Sequence, residues 1–318
     1  MKISTLQALF QTHLSPLYEK REIDAIFFIY IEDKYNIKKH DYFLNFEMEE
    51  GRHEGAKGRR HEWRKDLEEL SRGCPIQYII GKTTFYGLEL NVNPDVLIPR
   101  SETEELVEHI LMRFRVKRGM TRGCHSALDA EFQGIAGQAR NDEGRGSLYK
   151  ILDLATGSGT IAIALAKNIK NATVWATDIS EKALETAKKN AAENNVAITF
   201  LHHNILKDDI TLLPDNLDII VSNPPYIPQS EQKHLHKNVV DYEPKIALFV
   251  PNENPLIFYD AIVKIAKKIL REGGSLYFET HEKFHAELSA MLAEMDFKEI
   301  ELWNDINGKP RFISCKKL

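Results

Sequence analysis

The sequence predicts an α/β protein in which a mostly parallel sheet follows a small helical N-terminal domain. Residues 1–80 carry apolar residues at helical spacing, and no alternating strand pattern interrupts them. From residue 151 onward, short apolar strand segments alternate with helical segments. Such alternation is typical of right-handed βαβ units, whose helices cover both faces of a parallel sheet.

Three parts of the chain follow from this pattern. Residues 1–80 form the helical domain, and residues 81–100 form a β-hairpin linker, because "TTFYGLELNVNPDVLIPR" alternates in polarity and carries Asn-Pro punctuation. Residues 101–318 form the domain that contains the sheet. This domain begins with the helix "SETEELVEHILMRF", where Ser101 and Glu104 predict a capping box.

Residues 115–150 interrupt the last domain. They are rich in Gly and Arg and poor in apolar residues. Because long loops without regular structure are uncommon inside compact domains, we interpret them as a flexible, exposed insertion. Either the insertion is an arm that touches RNA, or it is tolerated without a role, and we favour the second.

The strands of the sheet are predicted at short apolar segments. These are "ILDLA", "TVWATD", "AITFL", "LDIIVS" and "GSLYFET", followed by "FKEIELWND" and "RFISCKK". The last two are close in sequence and resemble a hairpin, so we expect one edge strand to run antiparallel.

Composition excludes several classes of protein. Hydrophobic residues make up 43% of the 318 residues and charged residues 28%, as in soluble globular proteins. No apolar run is long enough to span a bilayer, and the start lacks a signal-peptide pattern, so we expect a cytoplasmic protein with no membrane partner. The net charge of −5 disfavours a surface that binds long nucleic acid. Three scattered cysteines predict neither disulfides nor a Cys-rich zinc site.

A glycine loop is predicted where the first parallel strand meets its helix, in "DLATGSGT". Gly157 and Gly159 permit a tight turn and a close approach of the backbone to a ligand. Asp178 ends the next strand about 20 residues later, where a carboxylate can bind a ribose diol. No further glycine and no Lys-Ser/Thr pair follow, so a nucleoside without pyrophosphate fits best. S-adenosylmethionine (SAM) is the common ligand of that description.

The segment "SNPPY" ends a later strand of the same sheet, so Asn223 is expected to share a crevice with the glycine loop. The Asn223 side-chain oxygen and the Pro224 carbonyl can each accept one N–H of an amide or exocyclic amine. These bonds draw the nitrogen out of conjugation and aim its lone pair at a methyl group. Pro225 helps to fix the backbone, and Tyr226 offers a ring face. The reaction is in-line methyl transfer driven by positioning and electrostatics. Alternatively, Asn-Pro-Pro is only a turn.

Taken together, these motifs resemble the protein-glutamine methyltransferases that modify peptide chain release factors. The resemblance covers nearly the whole chain outside 115–150. It includes "GCPIQYIIG", "LIPRSETEELVE", "DLATGSGTIAIALA", "SNPPYIP", "YEPKIAL" and "DINGKPRF". The "NPPY" segment alone is shared with DNA adenine and some ribosomal RNA methyltransferases.

The resemblance implies a SAM-dependent, Rossmann-like methyltransferase sheet and a substrate glutamine in a Gly-Gly-Gln loop. The helical domain docks the release factor, and a monomer is expected. The implied SAM contacts are Ala155, Thr156, Gly157, Ser158, Gly159, Asp178, Ile205 and Asn223. The implied substrate contacts are Asn223, Pro224, Pro225 and Tyr226, of which Asn223, Pro224 and Tyr226 are assigned to catalysis. Arg100, Glu102 and Glu104 either lie beside the SAM pocket or serve helix capping and a surface ion pair.

The sequence departs from the family pattern at three positions. Ala155 occupies a position that is usually glycine, which is tolerable if its φ is negative. Asn204 stands where an acidic residue often meets the adenine amine, and Ser101 replaces a usual proline.

A histidine motif and a histidine pair are interpreted as structural. "HEKFH" at 281–285 matches the zinc-protease pattern, but His281 follows a strand directly and no third ligand is framed, so no metal site is predicted. "HH" at 202–203 is interpreted as a solvated strand end.

Two other functions stay open. One is a nucleic-acid exocyclic-amine methyltransferase, although the acidic charge and the lack of a basic recognition domain disfavour direct sequence-specific binding. The other is a non-catalytic module of the SAM-binding fold that docks on the translation machinery, which the intact "SNPPY" and Asp178 disfavour.

Overall fold

The computed structural model describes residues 3–44, 63–117, 149–207 and 209–318. Most of the predicted insertion at 115–150 lies outside these described residues. Its first residues, 115–117, still belong to a helix, and its last two begin a strand. No helix in the described part of the chain is both long and apolar enough to cross a membrane.

The N-terminal region is helical, as predicted. Its helices are α1 (Ile3–Leu14), α2 (Lys20–Tyr35), α3 (Lys39–Leu44), α4 (Trp63–Ser71) and α5 (Ile76–Ile80). They enclose a core of their own, in which the rings of Phe10 and Phe27 meet edge to face at 5.5 Å. The Tyr30 hydroxyl donates to the Asp66 carboxylate at 2.9 Å and so joins α2 to α4. This region therefore carries enough apolar contacts to form a separate core.

The predicted hairpin follows directly as strands β1 (Lys82–Phe85) and β2 (Leu88–Asn91), which pair antiparallel. Its two turn residues, Tyr86 and Gly87, have φ angles of 50° and 73°. Positive φ at both positions is the mark of the tight turn that matches strand twist. The chain then runs through 92–100 into helix α6 (Ser101–Lys117).

The capping box predicted for α6 is wrong. Ser101 is already helical, and its hydroxyl donates to Glu102 at 3.1 Å. The Glu104 carboxylate instead accepts the backbone N–H of Tyr86 at 2.6 Å. Glu104 therefore fastens the hairpin turn to α6 rather than closing the helix on itself.

The second region is a seven-stranded sheet flanked by helices, which confirms the predicted fold class. Its strands are β3 (Tyr149–Leu154), β4 (Ala172–Asp178), β5 (Ile198–His202), β6 (Leu217–Ser222), β9 (Leu270–Glu279), β10 (Phe297–Asn304) and β11 (Pro310–Lys317). A short pair, β7 (Ile227–Pro228) and β8 (Phe249–Val250), lies apart. The helices are α7 (Thr160–Asn168), α8 (Glu181–Glu193), α9 (Lys237–Tyr242), α10 (Ile257–Ile269) and α11 (His285–Glu294).

The order of the strands is β10-β11-β9-β6-β3-β4-β5. The closing hairpin exists, but the antiparallel strand is not at the edge. Strand β11 pairs antiparallel with both β9 and β10, so it is second in the sheet. The reason is that the chain leaves β9 through α11 to an outer position, and the hairpin then returns into the space between β9 and β10.

The order also fixes where a ligand can bind. From β3 the chain steps to β4 and β5, and it then crosses back to β6 on the other side of β3. Strands β3 and β6 are parallel, and Leu154 is level with Ser222 at their carboxyl ends. At such a switch point the connections leave in opposite directions and open a crevice. The glycine loop and "SNPPY" both begin there.

Candidate active site

The glycine loop between β3 and α7 is built from left-handed backbone conformations. Ala155, Gly157 and Gly159 have φ angles of 60°, 55° and 84°. A Cβ on Gly159 would lie 2.9 Å from the Ile163 side chain and 3.1 Å from Ala187 Cβ. Glycine at 159 therefore serves both the turn and the close packing of α7 on α8.

Ala155 does not have the negative φ that would make alanine free of strain at this position. A residue with a Cβ costs roughly 1–2 kcal/mol in the left-handed region. The next residue supplies part of the compensation, since the Thr156 backbone N–H donates to the Thr177 carbonyl at 2.8 Å. The loop is thus held to the end of β4 despite its strain.

The Asp178 carboxylate closes the loop from the side of β4. Its two oxygens accept the backbone N–H groups of Gly157 and Ser180, each at 2.9 Å. Burial raises the pKa of Asp178, while these N–H donors favour the charged form. The Ile179 N–H also favours the charged form, and since a carboxylate offers about four acceptor directions, some acceptor capacity remains for a ligand.

A second carboxyl lies beneath the loop. Asp153 is fully buried, and its Oδ2 accepts from the Thr156 hydroxyl at 2.6 Å and from the Ala162 N–H at 3.2 Å. Its Oδ1 has no hydrogen-bond partner among the described residues. Burial raises the pKa of Asp153 to about 7. The loop therefore rests on an acid that the fold prefers in its neutral form.

The hairpin linker supplies another wall of the site and is tied to the glycine loop through Asn190. This buried side chain donates to the Ser158 carbonyl at 2.9 Å and to the Asn91 carbonyl at 3.0 Å. Further along the linker, Arg100 pairs with the buried Glu243 carboxylate at 2.6 Å. The linker thus spans the site from α8 to the segment that follows α9.

The strand end at β6 carries Asn223. The Ser222 hydroxyl donates to the Leu154 carbonyl at 2.6 Å, which joins the ends of β6 and β3. The Asn223 Nδ2 donates to the Thr103 hydroxyl of α6 at 3.2 Å. Pro224 and Pro225 are both buried. Asn223 is therefore anchored on two sides, by the sheet and by α6.

Tyr226 turns toward β9. Its hydroxyl donates to Glu279 Oε1 at 3.2 Å, and the Thr103 hydroxyl donates to Glu279 Oε2 at 2.6 Å. Burial and the nearby Glu279 raise the pKa of Tyr226, so the phenol keeps its proton at neutral pH. Burial also raises the pKa of Glu279, opposed by the bond from Thr103.

These elements surround one cavity of about 280 Å³. Its lining contains Ala155, Thr156, Gly157, Ser158, Asp178, Ile205, Asn223 and Pro225 from the predicted site. Gly159, Pro224 and Tyr226 are not part of that lining. The structure therefore brings the glycine loop, the β4 carboxylate and the asparagine together, and Pro224 and Tyr226 follow Asn223 directly in the chain without belonging to the lining itself.

Several lining residues were not identified from sequence. Val96, Leu97, Pro99, Thr103, Ile179, His203, Ala247 and Phe258 also face the cavity. The expectation of a solvated strand end is wrong for His203, which is 7% exposed and whose Nε2 donates to the Asp209 carbonyl at 2.9 Å. His202 is exposed, as expected. The segment "LIPRSETEELVE", through which Arg100 was expected beside the pocket, was the available signal for the linker wall.

Three further residues from the family pattern can be placed in the structure. Asn204 lines the cavity, but its Oδ1 already accepts the Leu206 N–H at 2.9 Å. Arg100 lines the cavity, whereas Glu104 is committed to the hairpin turn.

The "HEKFH" segment lies away from this cavity. His281 precedes α11, as predicted, and its Nε2 meets Glu231 at 3.2 Å. His285 begins α11 and bonds to the Thr280 hydroxyl at 2.5 Å. Within the described ranges, no group of three or more metal-binding side chains occurs.

Comparisons with known proteins show which family this chain is similar to. The family model described as methyltransferase small domain matches residues 141–243. A release factor glutamine methyltransferase of Flavobacterium psychrophilum is 39% identical over 98% of both chains. One from Bacteroides thetaiotaomicron is 32% identical over 99% of this chain and all of the relative, and one from Lactococcus lactis is 39% identical over 78% of this chain and 79% of the relative. The likeness thus includes the helical N-terminal region as well as the sheet.

Proposed function

The chain belongs to the release factor glutamine methyltransferases, and from this premise we propose that it methylates the glutamine of the Gly-Gly-Gln loop in peptide chain release factors. The methyl donor is SAM, and the acceptor is the side-chain amide nitrogen of that glutamine. The helical domain at 1–80 docks the release factor in the cytoplasm. The enzyme acts as a monomer.

The cavity fits SAM in its chemistry. Ile179, Ile205 and Phe258 offer apolar surface for an adenine ring, and the remaining acceptor capacity of the Asp178 carboxylate suits a ribose hydroxyl. Gly157 leaves open space where any other residue would place a Cβ. The cavity lies near the lower end of the roughly 300–1,000 Å³ that is usual for ligand sites. When bound, SAM supplies a methyl group on a positively charged sulfur.

The chain's own residues then have to activate a poor nucleophile. The glutamine nitrogen shares its lone pair with its carbonyl, so it attacks only when that conjugation is weakened. Asn223 Oδ1 and the Pro224 carbonyl each accept one of its N–H bonds and fix the direction of the lone pair. Tyr226 supports this wall from behind through Glu279. As the methyl group passes to the nitrogen, its bond to sulfur would break, S-adenosylhomocysteine would leave, and the nitrogen would give one proton to the solvent. Positioning and electrostatics carry the reaction, without a separate strong base.

The observation that carries this proposal is the meeting of Asn223 with the glycine loop and Asp178 in one cavity. The two elements are separated in sequence, and the switch in strand order brings them together. A turn without function would not need an amide side chain that faces the same cavity as a ribose-binding carboxylate. The proposal therefore rests on their shared position.

The test is incubation of the purified protein with a purified release factor and isotope-labelled SAM, followed by mass mapping of the modified peptide. We expect one methyl group on the glutamine of Gly-Gly-Gln. Unmodified release factor would contradict the proposal. Label on added ribosomal RNA or DNA would support the nucleic-acid alternative instead.

A further inference from the structure

A buried chain of hydrogen bonds runs from β9 to the asparagine of the site. Glu279 is 2% exposed and Thr103 is 4% exposed. The Thr103 hydroxyl lies 2.6 Å from Glu279 Oε2, and Asn223 Nδ2 lies 3.2 Å from the same hydroxyl. The chain therefore joins three separate segments, β9, α6 and the end of β6.

The direction of these bonds follows from how many protons each group can donate. A carboxylate only accepts, and a hydroxyl has a single proton to donate. Once Thr103 gives its proton to Glu279, its oxygen can only accept from Asn223. The Asn223 amide must then present nitrogen to Thr103, which leaves Oδ1 as the acceptor for a ligand.

Burial raises the pKa of Glu279, and neighbouring groups oppose that rise by favouring the carboxylate, which only accepts. The Tyr226 hydroxyl donates to its second oxygen at 3.2 Å, and the positive charge of Arg311 also favours the carboxylate. Tyr259 donates to the Glu279 backbone carbonyl at 3.0 Å and so fixes the strand itself. A neutral amide at position 279 would have N–H groups of its own and could reverse the chain.

We propose that Glu279 and Thr103 are positioning residues that hold the Asn223 amide with its oxygen toward the substrate nitrogen. The inference rests on the proposed function, because it assigns a task to the same site. With the amide reversed, Asn223 would present two N–H donors to a substrate NH₂ group. Two donors repel each other, and the nitrogen would stay conjugated.

The experiment compares Thr103→Val with Thr103→Ser. Valine keeps the shape of threonine but removes the hydroxyl, whereas serine keeps it. Single-turnover methylation of a purified release factor gives the rate of the chemical step. We expect Thr103→Val to lower that rate by about 10- to 100-fold, the equivalent of one or two lost bonds near the reacting atoms. Thr103→Ser should stay within about threefold of the wild type.

A structural control comes from Thr186. This threonine is also buried and also makes two hydrogen bonds, with Asn93 and with the Lys182 carbonyl, but it lies outside the cavity lining. Thr186→Val should reduce Tm without slowing the single-turnover rate. Affinity for S-adenosylhomocysteine, Tm and KM for the release factor are measured for all variants. If the hydrogen-bond relay from Glu279 through Thr103 to Asn223 positions the amide, Thr103→Val should lose kcat with KM little changed.

The outcomes separate the two proposals. If the wild type does not methylate the release factor, the proposed function fails. If the wild type is active and Thr103→Val is equally fast, or Thr103→Ser is as slow as Thr103→Val, only the relay fails. Should Thr103→Val not fold, Glu279→Gln tests the same relay, because it is nearly isosteric and can reverse the bonds. A rate equal to that of the wild type would overturn the inference.

Discussion

Two walls of the same cavity are built by different means. The wall at the β3–α7 loop is made of backbone, with left-handed residues at 155, 157 and 159 and N–H groups that face Asp178. The opposite wall, at Asn223, is made of side chains. Its bonds join residues 120 and 176 positions apart in the chain. The first wall is local in sequence, and the second exists only once the sheet and α6 have come together.

The difference bears on what each wall can tolerate. A backbone wall depends on conformations that few residues adopt, so changes there act mainly on stability and on cofactor binding. A side-chain wall depends on the direction of hydrogen bonds, so changes there act mainly on the rate of reaction. Each prediction below tests this separation at one position.

The largest effect is expected at the side-chain wall. Asn223→Ala removes an acceptor that is needed as the amide nitrogen changes its bonding, and we expect kcat to fall by about 100- to 1,000-fold. The affinity for SAM should change by less than about tenfold, because the glycine loop and Asp178 remain. Steady-state kinetics and titration calorimetry check both values. A variant with the kcat of the wild type would remove Asn223 from the mechanism.

A large effect on stability is expected at the backbone wall. Gly159→Ala brings a Cβ within 2.9 Å of Ile163 and 3.3 Å of Ala187 Cα at a φ of 84°. Strain and overpacking together should lower the free energy of unfolding by about 3 kcal/mol. Urea unfolding measures this loss.

Gly157→Ala is the matched control for that change. Its φ is also left-handed, at 55°, but a Cβ there meets no atom within 4 Å. We expect a loss of about 1 kcal/mol from strain alone, together with weaker binding of S-adenosylhomocysteine. Equal losses of stability for the two variants would show that packing of α7 on α8 does not matter.

The buried carboxyl under the glycine loop should make stability depend on pH. The pKa of Asp153 is raised by burial from an ordinary 3.8 to about 7, so between these values the native state binds more protons than the unfolded state. Its contribution to stability is present at low pH and is lost as the pH rises toward 7. Asp153→Asn should therefore gain about 2 kcal/mol relative to the wild type between pH 5 and pH 8. Parallel stability curves for the two proteins over this range would contradict the assignment.

The smallest effect is expected at Ala155. Its φ of 60° strains a residue with a Cβ, whereas glycine adopts that conformation freely. Ala155→Gly should raise the free energy of unfolding by about 0.5–1 kcal/mol, since the greater freedom of glycine in the unfolded chain offsets part of the gain. Thermal unfolding of the two proteins checks the sign. A lower Tm for the glycine variant would mean that the loop is not strained at this position.

The sequence predicted the backbone wall well because its signals are local. Two glycines and one aspartate, placed between a strand and a helix, identify their own conformation and position. The family and the fold class could be predicted for the same reason, since both depend on short contiguous motifs, and both predictions were confirmed. The roles assigned to individual site residues stay predictions.

The sequence predicted only part of the side-chain wall. Asn223 carries a motif, and Thr103 lies within "LIPRSETEELVE", but no local pattern assigns either Thr103 or Glu279 to the site. The capping box failed because a tertiary partner, the Tyr86 N–H, competes for Glu104. The prediction that His203 is exposed was wrong, because its side chain bonds to the Asp209 carbonyl beyond the strand end. In each case a bond between distant segments replaced the local preference.

The central claim is that two acceptor oxygens, from Asn223 and Pro224, bind the amide nitrogen of the substrate glutamine. A crystal structure of the protein with S-adenosylhomocysteine and a release factor tests it directly. The account predicts that the glutamine nitrogen lies about 3 Å from both Asn223 Oδ1 and the Pro224 carbonyl oxygen. A glutamine nitrogen out of reach of either oxygen, or one that faces Asn223 Nδ2, would contradict it.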